Sequence, residues 1–352
     1  MISPARDLAF RILMKVHGGG YASDLLRVEG ASLDARDAAL AEAIVMGVLR
    51  YRGQLDFLIR HFAGRTIPKL DAETRIALEM GVFQLRYLDR IPVHAAAGES
   101  VELIKSRKPS AAGFVNAVLR KVNRAPVRWP DRATELSLPD WMLARWDKQF
   151  GAELAEKIAR AALEEPETAV NPETGRRQDV GAQTIVPLLG IERGMAVLDL
   201  CAAPGNKTAQ ALALGARVVA CDRYLKRLEG VPAEAMRVVL DAAQPLPFSR
   251  KFDRILVDAP CSGTGTLGRN PEIKWRLKPG DANIFAARQR AILDQARRFL
   301  KPGGRIVYAT CSLEKEENQN VVQSLRLRAE AHLRLPGRDP GDGFFAAVIN
   351  SV

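Results

Sequence analysis

The stretch Val197-Leu198-Asp199-Leu200-Cys201-Ala202-Ala203-Pro204-Gly205-Asn206-Lys207-Thr208 decides how this chain folds. It opens with a short apolar run, Val197–Leu200, of the kind that is buried on both faces in a parallel sheet. Small residues follow, so the backbone can approach a ligand, and the helical pattern after them offers its N-terminal amides. The ending Gly205-Asn206-Lys207-Thr208 is close to a phosphate-binding loop. That motif needs glycine at the positions held by Cys201 and Asn206, which argues against nucleotide hydrolysis. Further along, Val218–Ala220, Arg237–Leu240, Arg254–Val257 and Arg305–Tyr308 read as buried strands separated by helical stretches. An α/β domain with a doubly wound, mostly parallel sheet is expected from Met195 onward.

The strand ends are where such a sheet keeps its chemistry. The second run ends at Cys221-Asp222, about 20 residues after the first, where a carboxylate can accept hydrogen bonds from ribose hydroxyls. The third ends at Asp241, and the set suits an adenosine-containing cofactor bound without a GxGxxG turn. The fourth runs into Val257-Asp258-Ala259-Pro260-Cys261-Ser262-Gly263-Thr264-Gly265 and the fifth into Tyr308-Ala309-Thr310-Cys311-Ser312. Two thiols just past neighbouring strands point to one active site, although a free cysteine also packs well as a small buried hydrophobe. The four cysteines, Cys201, Cys221, Cys261 and Cys311, show neither a CxxC nor a histidine pairing that would suggest zinc. Nor do they look like a secreted disulfide framework, so reduced thiols and a cytoplasmic location are expected, with no metal. No signal peptide is evident, and no apolar run approaches the roughly 18 residues that span a bilayer.

The first 125 residues read differently. Ala9, Ile12, Leu13 and Val16 form one helical stripe, and Ile76, Met80, Phe83 and Tyr87 form another behind a candidate N-cap at Asp71. Val115, Leu119 and Val122 form a third, expected to start after Pro109, Ser110 and Gly113. A helical bundle is the natural assembly. Pro126, Pro130 and Pro139 then mark a linker, followed by a short helix with Trp141 and Trp146. The 352-residue chain carries 52 Lys and Arg against 41 Asp and Glu, a net charge of +11. Much of the excess is N-terminal: Leu103–Pro130 holds Lys105, Arg107, Lys108, Arg120, Lys121, Arg124 and Arg128 and no acidic residue. Such a face suits a polyanion such as RNA, or only a solvated surface.

Four ordered motifs resemble one family: Asp199-Leu200-Cys201-Ala202-Ala203-Pro204-Gly205, Asp258-Ala259-Pro260-Cys261-Ser262-Gly263-Thr264-Gly265, Arg269-Asn270-Pro271-Glu272-Ile273-Lys274-Trp275 and Ala309-Thr310-Cys311-Ser312. They are similar to the Sun, or RsmB-type, RNA cytosine carbon-5 methyltransferases. Gly341-Asp342-Gly343-Phe344-Phe345 resembles that family's closing strand. Ala5-Arg6-Asp7-Leu8-Ala9, Pro92-Val93-His94-Ala95-Ala96 and Phe114-Val115-Asn116-Ala117-Val118-Leu119-Arg120 resemble the NusB-like RNA-binding domain of its bacterial members. The resemblance implies a Rossmann-like methyltransferase domain over 181–352, a NusB-like domain over 1–125, and a linker with a truncated RNA-recognition subdomain over 126–180. It implies S-adenosylmethionine as cofactor and small-subunit ribosomal RNA as partner, with no membrane and the chain a monomer. Cys311 would be the nucleophile and Cys261 would assist product release, roles that spacing alone leaves open. Asp258 would neutralise charge on the cytosine ring, Lys207 would hold Asp258, and Cys201, Ala202, Ala203, Pro204, Gly205, Asn206 and Lys207 would line the cofactor with Asp222, Asp241 and Asp258. Trp275, Arg269 and Lys274 are candidates to stack on and clamp a flipped nucleotide.

Two departures stand out. Asn206 occupies a position where the family usually has a second glycine. Between Val170-Asn171 and Gln178-Asp179, where members carry a long RNA-recognition subdomain, only Pro172–Arg177 remain. A rival reading is therefore an RNA-binding assembly factor whose methyltransferase core no longer turns over. A DNA cytosine methyltransferase is a third, which the Thr-Cys-Ser motif and the helical domain disfavour.

Overall fold

The computed structural model describes residues 2–64, 70–165 and 169–351. It divides into two compact units, Met1–Glu164 with Leu267–Arg276, and Glu165–Thr266 with Leu277–Val352.

The first unit is helical: α1 (Pro4–His17), α2 (Ala22–Glu29), α3 (Ala35–Ala63), α4 (Ala72–Tyr87), α5 (Val93–Arg107) and α6 (Pro109–Leu119). Asp34 and Asp71 cap α3 and α4, their carboxylates accepting from the backbone N–H of Asp37 and Thr74. The expected stripes enter the core, with Ile12, Leu13, Val16, Ile76, Met80 and Phe83 buried, and Leu8, Ile44, Leu58 and Leu78 join them. Gly47 lets α3 approach α4, since a side chain there would collide with the Phe83 ring. Helix α6 starts earlier than expected, at Pro109, because proline suits a first helical position, where the N–H has no partner to lose. It ends at Leu119, and Val122 packs on the core from beyond it.

The proline-rich stretch also folds. Helices α7 (Arg132–Glu135), α8 (Asp140–Phe150) and α9 (Ala152–Ala161) belong to this unit, with Trp146 buried in it. So does Leu267–Arg276. Its Lys274 ammonium donates to the Arg50 carbonyl at 2.8 Å, and the Trp275 indole N–H donates to the Leu49 carbonyl at 2.7 Å. Glu272 accepts the Ala22 N–H at 2.9 Å, and the Arg276 guanidinium donates to the Val16 carbonyl at 2.9 Å.

The second unit opens with a hairpin, β1 (Ala169–Val170) and β2 (Arg177–Gln178), followed by the short helix α10 (Val180–Gln183). Then come β3 (Ala196–Asp199), α11 (Asn206–Ala213), β4 (Arg217–Asp222), α12 (Leu225–Leu228), β5 (Met236–Val239), β6 (Phe252–Asp258), β7 (Leu300–Thr310), β8 (Glu330–Arg334) and β9 (Phe344–Asn350). The seven strands β3 to β9 lie in the order β5-β4-β3-β6-β7-β9-β8. The five from β3 to β7 are parallel, and β9 inserts antiparallel to β7 and β8. All five expected strands are present, with apolar residues on both faces of β3, β6 and β7 because the sheet is covered on both sides. The strand order reverses between β3 and β6, so the crevice beyond their carboxyl ends is the topological place for a ligand.

Candidate active site

The turn from β3 to α11 is built on Gly205, which has φ +101° and whose missing side chain would strike the Val231 backbone. The loop is tied to β4 by the Ala202 N–H, which donates to the Cys221 carbonyl at 2.8 Å. In the first turn of α11, the Thr208 hydroxyl donates to Asp199 Oδ2 at 2.7 Å, while Asp199 Oδ1 is buried without a partner. Burial, aided by the nearby charge of Asp258, pushes the Asp199 carboxyl up to about 7. Burial likewise pushes the Cys201 thiol well up, so that residue offers the site its backbone and bulk rather than a thiolate.

Lys207, one residue earlier on α11, reaches Asp258 Oδ2 at the end of β6, 2.6 Å away. Burial alone would lower the Lys207 ammonium, but the charge and hydrogen bond of Asp258 outweigh it and raise its pKa. Its cation also lies 5.6 Å from the Phe344 ring centre. Beyond Asp258 the two loops converge, and Cys261 Sγ and Cys311 Sγ are 3.3 Å apart. The Cys261 thiol is pushed well up, first by its hydrogen bond to Cys311 and then by burial. In that contact either thiol can donate to the other sulfur. The close approach depends on Gly265, whose N–H donates to the Cys311 carbonyl at 2.8 Å and where a Cβ would meet the Gly343 and Cys311 carbonyls.

The expected cofactor carboxylates fall at the ends of the other strands. Asp222, buried at the end of β4, accepts the Tyr224 N–H at 3.0 Å and faces Arg227 at 3.5 Å. Asp241, just past the edge strand β5, accepts from Arg288 at 2.9 Å and lies 3.7 Å from Arg223. Lys207–Asp258 and Cys261–Cys311 thus form two contact pairs, with Lys207 within electrostatic reach of Cys311 and Asp199 and Cys201 near Asp258, whereas Asp222 and Asp241 sit further along the sheet edge, each facing arginine. Of the proposed nucleotide clamp, Lys274 and Trp275 point their donors at α3 carbonyls within the helical unit.

One residue escaped the sequence reading. Glu317 is fully buried and accepts from the Ser262 N–H at 2.8 Å, the Ser312 hydroxyl at 2.7 Å and the Gln289 amide at 2.9 Å, and also from the Ser262 hydroxyl. It fastens the Cys261 loop to the Cys311 loop. Asn318 adds a bond to the Ser312 carbonyl at 2.8 Å. Glu314-Lys315-Glu316-Glu317 reads as a solvated charge run, and the only hint is its closeness to Cys311. Among the described residues, no group of three or more His, Cys, Asp or Glu is placed to hold a metal ion, and no helix is long and apolar enough to cross a membrane.

Comparison with known proteins matches residues 186–342 to the 16S rRNA methyltransferase RsmB/F family and residues 3–124 to the NusB family. Ribosomal RNA small subunit methyltransferase B of Erwinia tasmaniensis is 32% identical, covering 98% of each chain. The protein of that name from Shigella flexneri serotype 5b is 31% identical, covering 95% of each. The alignment with the Erwinia protein runs over 420 positions, more than the 352 residues available, so that relative carries residues absent here. Among solved structures, PH0851 matches with a TM-score of 0.78 at 21% identity over 99% of each chain. A methyltransferase homolog from Pyrococcus horikoshii matches with a TM-score of 0.54 at 22% identity, covering 62% of this chain and 97% of that one. These two bear on the fold alone, and they agree with the Rossmann-like methyltransferase sheet.

Proposed function

The chain belongs to the family of ribosomal RNA small subunit methyltransferase B, and from that premise we propose that it methylates carbon-5 of a cytosine in small-subunit rRNA through a thiol adduct at carbon-6. The observation that carries this reading is the pair of thiols 3.3 Å apart beside the Lys207–Asp258 ion pair. S-adenosylmethionine, when bound, supplies an electrophilic methyl group. The residues present suit it: Asp199 keeps a buried oxygen without a partner, the loop Cys201–Lys207 is shaped by small residues, and Asp222 closes the neighbouring strand. Asp241 extends that edge.

Carbon-5 of cytosine is a weak nucleophile, and a thiolate adding to carbon-6 converts the ring to an enamine. Cys311 makes that bond as the thiolate, its own proton passing to solvent, while Cys261 stays in contact with the Cys311 sulfur at 3.3 Å. Negative charge grows toward ring nitrogen-3, where it is neutralised by a proton that the Lys207 ammonium passes to the Asp258 carboxylate and that the resulting carboxyl donates to the ring. Lys207 occupies Oδ2 and leaves Oδ1 for the base. Once carbon-5 carries its methyl group, the carbon-5 proton leaves to a base and the carbon–sulfur bond breaks, its electron pair returning to Cys311. Cys261, touching that sulfur, assists the release. A ribosomal RNA substrate supports a cytoplasmic reaction.

The test is transfer of labelled methyl from S-adenosylmethionine to unmodified small-subunit rRNA. Label in 5-methylcytosine is expected, falling about a thousandfold or more with Cys311→Ala. Cys261→Ala should leave a protein–RNA adduct that persists through denaturation. Cofactor binding without label on any rRNA substrate would instead favour the assembly-factor reading.

A further inference from the structure

The two departures from the family pattern meet in space. The shortened stretch forms the turn of the β1–β2 hairpin, where Asn171 accepts the N–H groups of Glu173 at 2.9 Å and Thr174 at 3.2 Å and the Gly175 N–H donates back to the Asn171 carbonyl at 2.8 Å. This tight turn presents Arg176. Its Nε donates to Asn206 Oδ1 at 2.9 Å, and its terminal nitrogen donates to the carbonyls of Gly230 at 2.8 Å and Pro204 at 3.3 Å. Asn206 returns a bond from Nδ2 to the Arg177 carbonyl at 3.1 Å. Behind it, Gln178 donates to Gln210 of α11 at 2.9 Å.

One guanidinium therefore joins three backbone pieces: the hairpin, the loop Pro204–Asn206 after β3, and Gly230 just past α12, beyond the Asp222 end of β4. On the reading given under Proposed function, the second and third pieces border the cofactor. We infer that Arg176 is a positioning residue for the S-adenosylmethionine site, with Asn206 as its receiver on the cofactor loop. The planar fork of arginine can serve several acceptors at once, and a lysine would serve them as a single point. In this chain the side chain of Asn206 is engaged outward with the hairpin, which leaves its backbone to the loop.

The inference rests on that cofactor reading, so the first measurement is S-adenosylhomocysteine binding to the full-length parent by calorimetry. Arg176→Ala is expected to weaken that affinity about tenfold and to raise KM for S-adenosylmethionine similarly, with kcat at saturating cofactor within about threefold of the parent. Arg176→Lys should recover part of the loss. Asn206→Ala should cost less than Arg176→Ala, and the double variant should fall short of the sum, because the two share a bond. Arg176→Ala that lowers the melting temperature while leaving the S-adenosylhomocysteine affinity and KM unchanged would overturn the inference alone. No binding by the parent would overturn the cofactor reading and the inference together.

Discussion

The cysteine loops of the sheet unit and the Leu267–Arg276 segment of the helical unit both bury charged side chains, and they meet those charges differently. At the cysteines, Lys207 faces a carboxylate at 2.6 Å, and Glu317 gathers donors from both loops. A buried carboxylate oxygen without a hydrogen bond occurs in each region, Asp199 Oδ1 in the first and Glu272 Oε2 in the second. In the segment, the ammonium of Lys274 is fully buried against a carbonyl, and burial with the charge of Arg50 drives its pKa down to about 7. Both stretches are rich in the residue types of a reacting site. The partners separate them: at the cysteines opposed charges meet and one carboxylate is shared by both loops, whereas the segment spends Lys274 and Trp275 on α3 carbonyls, Arg276 on the Val16 carbonyl of α1 and Glu272 on the Ala22 N–H of α2. The first arrangement can exchange protons and hold a substrate, and the second anchors a segment.

The largest expected effect breaks the first region. Glu317→Ala removes the acceptor shared by Ser262, Ser312 and Gln289, and each buried donor left unmade costs about 1–3 kcal/mol. The thiols would lose their register, and a misplacement near 1 Å can cost about a hundredfold in rate. We expect methyl transfer to fall by about that factor or more, with a lower melting temperature. Glu317→Gln, which preserves shape and one acceptor oxygen, should bind S-adenosylhomocysteine like the parent while losing kcat. A Glu317→Gln variant with parental kcat would mean the two loops hold their thiols without the carboxylate.

How far the sequence discloses this comparison depends on what kind of contact is involved. Strands β3, β6 and β7 were legible because a strand covered on both faces is a continuous apolar run, and its last residues mark the ligand edge. That is why Asp199, Asp258, Cys261 and Cys311 could be named together. Asp71 was legible as a cap because capping is local, over three residues. Glu317 was not, since its partners are loops about 50 residues apart in sequence and its neighbours look solvated. The same holds for Arg176 and Asn206, about 30 residues apart. Strand β8 is an edge strand with little apolar content, so it leaves no run to read. The stretch 125–140 reads as a linker because Pro126, Pro130 and Pro139 break the helical period, yet Pro139 sits at the entry of α8, the helix expected around Trp141 and Trp146, where proline is compatible with helix.

A smaller effect sharpens the second region through pH. The folded-state pKa of Lys274, about 7, lies below its ordinary 10.5, so between those values the unfolded chain holds a proton that the folded chain has released. Stability then rises with pH across that window, by up to about 1.4 kcal/mol per unit, and the contribution is flat below it. Lys274→Met removes this slope. Melting temperatures of the full-length parent and variant, compared from pH 6 to 9, should move in the parent's favour only above about pH 7. A constant difference would mean that Lys274 keeps its proton in the fold, and the two regions would then neutralise buried charge alike.

The smallest effect tests the anchor itself. Trp275 spends its indole N–H on the Leu49 carbonyl at 2.7 Å, with the Lys274 ammonium 5.3 Å and the Arg52 guanidinium 5.9 Å from its ring centre. Phenylalanine keeps an aromatic face for those cations while losing the donor and the pyrrole half of the ring. Trp275→Phe should therefore cost about 1–2 kcal/mol, the net worth of one hydrogen bond with a little lost packing, or about 2–8 °C in the melting temperature of a unit this size. S-adenosylhomocysteine affinity should not move, because no cofactor residue is touched. A ring used instead to stack on an extruded base would give the opposite pattern: an unchanged melting temperature, with KM for RNA raised strongly by Trp275→Ala and only slightly by Trp275→Phe, since stacking survives with any aromatic face. That result would move Trp275 from the anchoring region into the reacting one, leaving Lys274 and Glu272 to hold the segment without it.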